Sequence, residues 1–442
     1  MAIDHQIRPH SLAVFRILFG SLMAFAMLRF LANGWIDEFF LQPQFHFTYP
    51  GFGWIRPWPG AWMHAHVAAL AVCAAGMALG FHYRFCTLLF FLGFTYLELI
   101  DRTLYLNHYY LVSLITGMML FMPADAVWAV RPRPQQREWI SPWPVRLLRF
   151  QFAIVYLFAG IAKLNADWLV EAQPMKIWLA ARSDLPLLGP WLEMDGVAHA
   201  ASWTGAVYDL TIPILLLLRR TRMAAFAAVV VFHLLTWLLF PIGMFPWIMI
   251  AGATLFFPPG WPLRQQGVAP AAASLPWAAK GILAGYVAIQ FLVPLRSGMR
   301  QSDSAWTGQG FNWAWKVMIA EKRGHVTFHL HRADGRTVRI NPADHLAPRQ
   351  VAMMAQDPWM IRDFARHLAR KHHATKVRVD AFAALNARPS QRLIDPHIDL
   401  ASHPLPDGWI VPLRKSGDIT SPIKSRALPA AVLPVAGPPP TR

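Results

Sequence analysis

About nine runs of this chain are apolar enough to be read as membrane crossings, near residues 11–31, 62–81, 85–100, 104–122, 144–165, 203–218, 223–240, 242–258 and 275–295. A crossing helix needs about 20 predominantly apolar residues. Inside hydrocarbon every backbone N–H and C=O must be satisfied within the spanning segment, so runs of this kind fold as helices. Composition agrees: 55% of the residues are hydrophobic and only 15% are charged, against about 25% charged in soluble domains. Only Asp101-Arg102-Thr103 separates the third run from the fourth, which predicts a tight helical hairpin. The first run carries Arg16 and Arg29 and no small-residue cleavage site follows it, so it is expected to be a retained span and not a signal peptide.

Loop charge predicts orientation, because Lys/Arg-rich loops stay cytoplasmic. With the N-terminus inside, Arg131, Arg133 and Arg137 in the loop 123–143 face inward, as do Arg219, Arg220 and Arg222. The loop 166–202, with Asp167, Glu171, Asp184, Glu193 and Asp195 against Lys176 and Arg182, faces outward. Nine spans then place everything after Leu295 on the external side. There the pattern changes. Residues 325–340 alternate around Asp334-Gly335, the signature of a β-hairpin. Residues 358–373 read as a helix opened by Pro358 after Asp357, and 376–385 as a strand. The expected architecture is an α-helical polytopic membrane domain over 1–295, a small α+β extramembrane domain over 296–410 and a Pro-rich disordered tail over 411–442.

The formal charge of +17 comes without any nucleic-acid-binding motif, and the excess lies in a few loops and the C-terminal third. The lipid bilayer with its anionic headgroups, or an acidic substrate, is the expected partner; nucleic acid is not. Cys73 and Cys86 sit in apolar runs and offer neither a disulfide framework nor a paired-cysteine zinc motif. No metal-ligand spacing, glycine-rich phosphate loop or nucleophile elbow is present. Chemistry here must use a few polar groups in an apolar setting.

Ionisable residues within spans are costly and therefore candidates for function. Lys163 closes the fifth run. It either snorkels its amine to the headgroups, or is buried, where desolvation favours the neutral amine, a usable base. Asn107 and His108 open the fourth run at the same, outer depth; His108 either serves the site or hydrogen-bonds a neighbouring helix. Asp209 and Arg149 are expected to form a structural pair between helices. His233, near the middle of an aliphatic run, is a packing histidine or lines an internal cavity. The aromatic stretch Phe45–Trp54 reads as an interfacial loop or a lid beside a planar ligand.

These residues fall into an ordered set of motifs. They run Phe15-Arg16-Ile17 with Phe19-Gly20, Gly80 with Tyr83-Arg84, Asn107-His108, Ile154-Val155-Tyr156 and Ala159-Gly160. Lys163-Leu164, Ala166-Asp167-Trp168 and Ile242-Gly243-Met244-Phe245 follow, then Asp334-Gly335-Arg336, Asn341-Pro342 and Arg392-Leu393-Ile394-Asp395-Pro396. In order and spacing, from about Phe15 to about Leu400, the chain resembles the vitamin K-dependent gamma-glutamyl carboxylases within the HTTM membrane-domain group. The resemblance implies an enzyme of the carbon-carbon lyase class. It would oxygenate a reduced quinone (reduced vitamin K or menaquinol) to its epoxide, and couple this to carboxylation of glutamate in a protein or peptide substrate. Molecular oxygen and carbon dioxide would be co-substrates, and no metal is expected. It implies that Lys163 is the base toward the quinol, with His108 catalytic beside it and Asn107, His108 and His233 around the quinone. No side-chain base can remove the γ-proton of glutamate directly, so quinol oxidation must supply the driving force, and a dry site protects reactive species. The chain is shorter than vertebrate members and has no equivalent of their disulfide, which suggests a bacterial-type member in an inner membrane with its C-terminal domain periplasmic. Two other readings stay open: a quinol epoxidase or oxidoreductase without carboxylation, and a non-enzymatic quinone- or lipid-binding module.

Overall fold

The computed structural model describes residues 5–130, 138–263, 268–298, 303–402 and 404–414. Arg131, Arg133 and Arg137, and the tail from residue 415, lie outside the described residues. The first part is helical. Among the described residues, seven helices are long and apolar enough to cross a membrane: α1 (His10–Ala32), α2 (Ala61–Leu79), α3 (Tyr83–Ile100), α5 (Trp143–Ala162), α6 (Asp195–Leu217), α7 (Arg222–Leu239) and α9 (Trp277–Leu295). The expected count of about nine is not met at full length. The runs 104–122 and 242–258 fold as the shorter α4 (Asn107–Met119) and α8 (Phe245–Ala253). Their flanks are taken by 3-10 turns, Arg102–Leu104 before α4 and Thr254–Phe256 after α8.

Local sequence explains where these helices stop and start. α2 ends at Gly80 with φ +70°, and a side chain there would collide with the Arg16 guanidinium, 1.9 Å from a Cβ. Only glycine fits so tight a link between α2 and α3. α7 and α9 bury few residues and present apolar faces outward, as lipid-facing helices do.

The two ends of the bundle differ. At one, His5 and Ile7 pair with Ala271 and Ile140 in isolated antiparallel bridges, and the Ser11 N–H donates to Pro259 O (3.0 Å). The other carries the extramembrane domain, a four-stranded antiparallel sheet ordered β2-β1-β3-β4. The strands are β1 (Lys322–His331), β2 (Thr337–Ile340), β3 (Lys376–Leu385) and β4 (Gln391–Arg392). The expected hairpin turns at Asp334-Gly335 with His331 opposite Thr337, and Gly335 takes the φ of +79° that such a turn needs. Helix α10 (Pro348–Met354) precedes α11 (Pro358–His372). The Asp357 carboxylate caps α11, accepting from the Trp359 and Met360 N–H groups at 2.8 and 3.2 Å. Phe364 and Leu368 on α11 pack against Phe328, Leu330, Val377 and Val379 of the sheet in one core.

The domain is tied to the bundle by polar and aromatic contacts. Phe47 is buried in the domain's own core, and Phe45 packs on Phe364 and His367, with ring centroids at 5.6 and 4.5 Å. The first part of the aromatic stretch is thus a joint between domain and bundle, not a free interfacial loop. The Gln350 amide donates to Phe45 O and to Asp101 Oδ2, both at 2.7 Å. Arg102 pairs with Asp363. The Arg388 guanidinium grips both oxygens of Asp167 at 2.6 Å.

Candidate functional site around Lys163

Lys163 caps the C-terminus of α5, where carbonyls of the last turn lack helical partners and a cation is favoured. Its side chain turns inward and is 6% exposed, so the snorkelling alternative does not describe it. Nζ donates to Asp209 Oδ2 at 2.7 Å, to Ala159 O at 3.3 Å and to Val317 O at 3.5 Å. Those three acceptors match the three N–H bonds of an ammonium. The Trp168 ring stands 5.2 Å from Nζ, a cation–π contact. Trp168 is held in turn: its backbone N–H is capped by Asn165 Oδ1 (3.0 Å), and its indole N–H donates to Ser202 O (2.7 Å).

The expected pair of Asp209 with Arg149 is not formed. Arg149 donates to the carbonyls of Leu255 and Phe257 at 2.7 and 2.9 Å, and Asp209 belongs to Lys163. Depth is the reason: Arg149 precedes Lys163 on α5 by 14 residues, about 21 Å of helix at 1.5 Å per residue. Gly160 sets the level at which α5 and α6 meet. A Cβ on it would sit 2.7 Å from Leu210 Cγ and 3.1 Å from Leu210 N, so only glycine lets the segment bearing Asp209 come this close.

Asn107 reaches the same place from α4. Its side-chain N–H donates to Lys316 O at 3.0 Å, the carbonyl adjacent in sequence to the one that Lys163 contacts. Tyr105 Oη donates to Asn107 Oδ1 at 3.0 Å and accepts from the Trp313 N–H at 2.7 Å. The segment that joins the two is irregular. Trp313, Trp315 and Met318 have φ of +60°, +53° and +49°, each costing about 1–2 kcal/mol for a residue with a Cβ. The anchors above hold it there, together with the stack of buried Trp315 on Tyr110 (4.9 Å) and of Trp313 on Tyr49 (5.8 Å). Non-helical backbone at this depth is tolerated only where protein surrounds it.

His108, buried, has the Phe245 ring at 6.0 Å, and Phe245 has His233 at 6.0 Å on another side. A Cβ at Gly243 would lie 3.8 Å from His108 Nε2 and 3.9 Å from an Arg29 guanidinium nitrogen, so a fixed cation stands beside this imidazole. His233 Nε2 shares a 2.9 Å hydrogen bond with Tyr156 Oη, while its Nδ1 is buried without a partner among the described residues. The same is true of Trp315 Nε1. Orphaned buried polar atoms cost about 1–3 kcal/mol each and are what a bound polar molecule would satisfy. In chemical type, orphaned ring nitrogens, aromatic rings and a buried amine suit a planar ring bearing oxygens, such as a quinone.

The sequence shows Asp209 but not its partner, and shows Tyr156 and Trp168 only as members of motifs. The strap 313–318 has no periodicity to reveal it; the clustered aromatics Phe311, Trp313 and Trp315 just after the last span are its one signal.

Residues 5–261 match the HTTM domain family, and residues 277–416 match the family described as vitamin K-dependent gamma-carboxylase, lumenal domain. No solved structure matches the chain.

Proposed function

The chain belongs to the vitamin K-dependent gamma-carboxylase family, an HTTM domain followed by the lumenal domain of those carboxylases, and from that premise we propose how it works. It is an integral membrane enzyme that consumes a reduced quinone and oxygen and adds carbon dioxide to glutamate side chains of a protein or peptide. The extramembrane domain faces the periplasm of a bacterial inner membrane. One observation carries this reading: a buried amine, Lys163, is tied through adjacent backbone carbonyls to Asn107 and so to His108.

Lys163 is the base that takes the hydroxyl proton of the quinol onto Nζ. Asn107 orients the strap through Lys316 O, and His108, beside the Arg29 guanidinium, is placed to stabilise charge developing on an oxygen. His233 Nδ1 and Trp315 Nε1, unpartnered among the described residues, would hold the ring. When bound, the reduced quinone supplies the oxidative driving force that no side-chain base has, making the γ-proton of glutamate removable. Trp168, Trp315 and Phe245 exclude water, which would quench a carbanion before carbon dioxide reached it.

The test incubates purified protein with reduced vitamin K or menaquinol, labelled bicarbonate and glutamate peptides, following oxidised quinone and fixed label separately. Both products are expected. Quinone product without label selects a quinol oxidoreductase; neither, across several quinols, selects a binding module. Lys163→Ala should abolish quinone turnover, and full turnover in that variant removes Lys163 from the chemistry. A reporter fused after Arg414 should read as external.

A further inference from the structure

As an ammonium, Lys163 would have every N–H engaged by these three acceptors, and an ammonium is no base. Before it can accept a proton it must lose one, and the acceptor has to be within reach. Of its three partners, Ala159 O and Val317 O are amide carbonyls, which do not hold a proton at working pH. The third is a carboxylate at 2.7 Å, itself 6% exposed. We propose that Asp209 is the positioning residue that takes a proton from Lys163 and so readies the amine, a role that rests on Lys163 being the base.

The step balances within the pair. An N–H bond on Nζ breaks and an O–H bond forms on Asp209 Oδ2, turning ammonium and carboxylate into amine and carboxylic acid. When the amine then takes the quinol's hydroxyl proton, the site holds one ammonium, one new anion and a neutral Asp209. The buried region stays neutral at each stage, which matters where separated charges are expensive. The titratable groups that feel the Asp209 charge are Tyr156 on α5 and Tyr208 on its own helix, and the rings of both pack on His233 of α7. Tyr156 and His233 already share a hydrogen bond, leaving Asp209 as the acceptor that touches Nζ.

The experiment compares wild type, Lys163→Ala, Asp209→Asn and Asp209→Glu as full-length protein, measuring quinol-dependent oxygen consumption against pH. Asp209→Asn should lower kcat about a hundredfold or more at every pH, in the range expected for a lost proton-transfer group, with little change in KM for quinol. Asp209→Glu should restore most of it. If the carboxylate were only a countercharge, its removal would ease loss of the ammonium proton, and activity would persist undiminished to lower pH; that outcome overturns the proposal. Lys163→Ala retaining turnover would instead overturn the reading of Lys163, so the two failures are distinct. A second measurement needs no substrate. In Lys163→Ala, Asp209 is buried without a countercharge, and it is tolerated only when protonated. The melting midpoint of that variant should rise as pH falls from about 8 to about 5, and the rise should vanish in Lys163→Ala/Asp209→Asn. A midpoint indifferent to pH would show that Asp209 holds no proton there, and would also overturn the proposal.

Discussion

At the scale of single residues, charge in an apolar run was the most legible signal. Lys163, Asn107, His108 and His233 all stand out because hydrocarbon tolerates them poorly, and the structure buries Lys163, His108 and His233. Partners were less legible, because a sequence shows depth along a helix only to within the error of its ends. Gly243 illustrates what a motif alone leaves hidden. Its φ of +61° is one that glycine adopts without strain, and a Cβ there would meet His108 and Arg29 at ordinary contact distance, 3.8 and 3.9 Å. Gly243→Ala should therefore cost about 1 kcal/mol in backbone strain, and by shifting the backbone next to His108 it should lower turnover more than that loss of stability implies. Parallel melting and kinetic measurements on the variant test this; unchanged turnover would mean that His108 needs no such placement.

At the scale of elements, the β-hairpin, the capped α11 and the strand β3 were readable because their signals are local: an Asp-Gly turn, an Asp cap before proline, a period-two alternation. The strap 313–318 was not, since its shape comes from hydrogen bonds and stacking with residues about 200 positions away. Trp315→Ala removes its buried stacking partner for Tyr110. It should destabilise the protein by about 3–5 kcal/mol, as large aromatic deletions do, and should raise proteolytic cutting near residue 313. The contact of α5 with α6 gives a sharper case. Gly160→Val would drive a side chain into Leu210, separating Lys163 from Asp209. A cost of about 1–3 kcal/mol is expected from overpacking, with turnover falling as far as in Asp209→Asn. A variant that melts lower yet turns over normally would show that the spacing of these helices does not govern the amine.

At the scale of the whole molecule, the order of a helical membrane part and a small α+β part was legible from composition, but the docking between them was not. It depends on pairs such as Asp101 with Gln350 and Asp167 with Arg388, whose members lie hundreds of residues apart. Asp167 is the informative one, being next to Trp168 and hence close to Lys163. Hydrogen bonds from Arg388 hold its carboxyl below the usual carboxylate range, against the opposing effect of burial. A carboxyl depressed in the folded state stabilises fully above its unfolded value, about 4, and the stabilisation is lost as pH falls through the lower folded value. Arg388→Ala should therefore loosen the domain at neutral pH by about 1.5–3 kcal/mol, the range for charged hydrogen bonds. Limited proteolysis in the connection after α9 should then be faster in the variant, and the gap from wild type should close below about pH 4. Because the strap held against Lys163 runs on into β1 of that domain, the variant should also lose quinol turnover at pH 7. Equal proteolysis rates at pH 7 would show that this ion pair does not hold the domain over the amine.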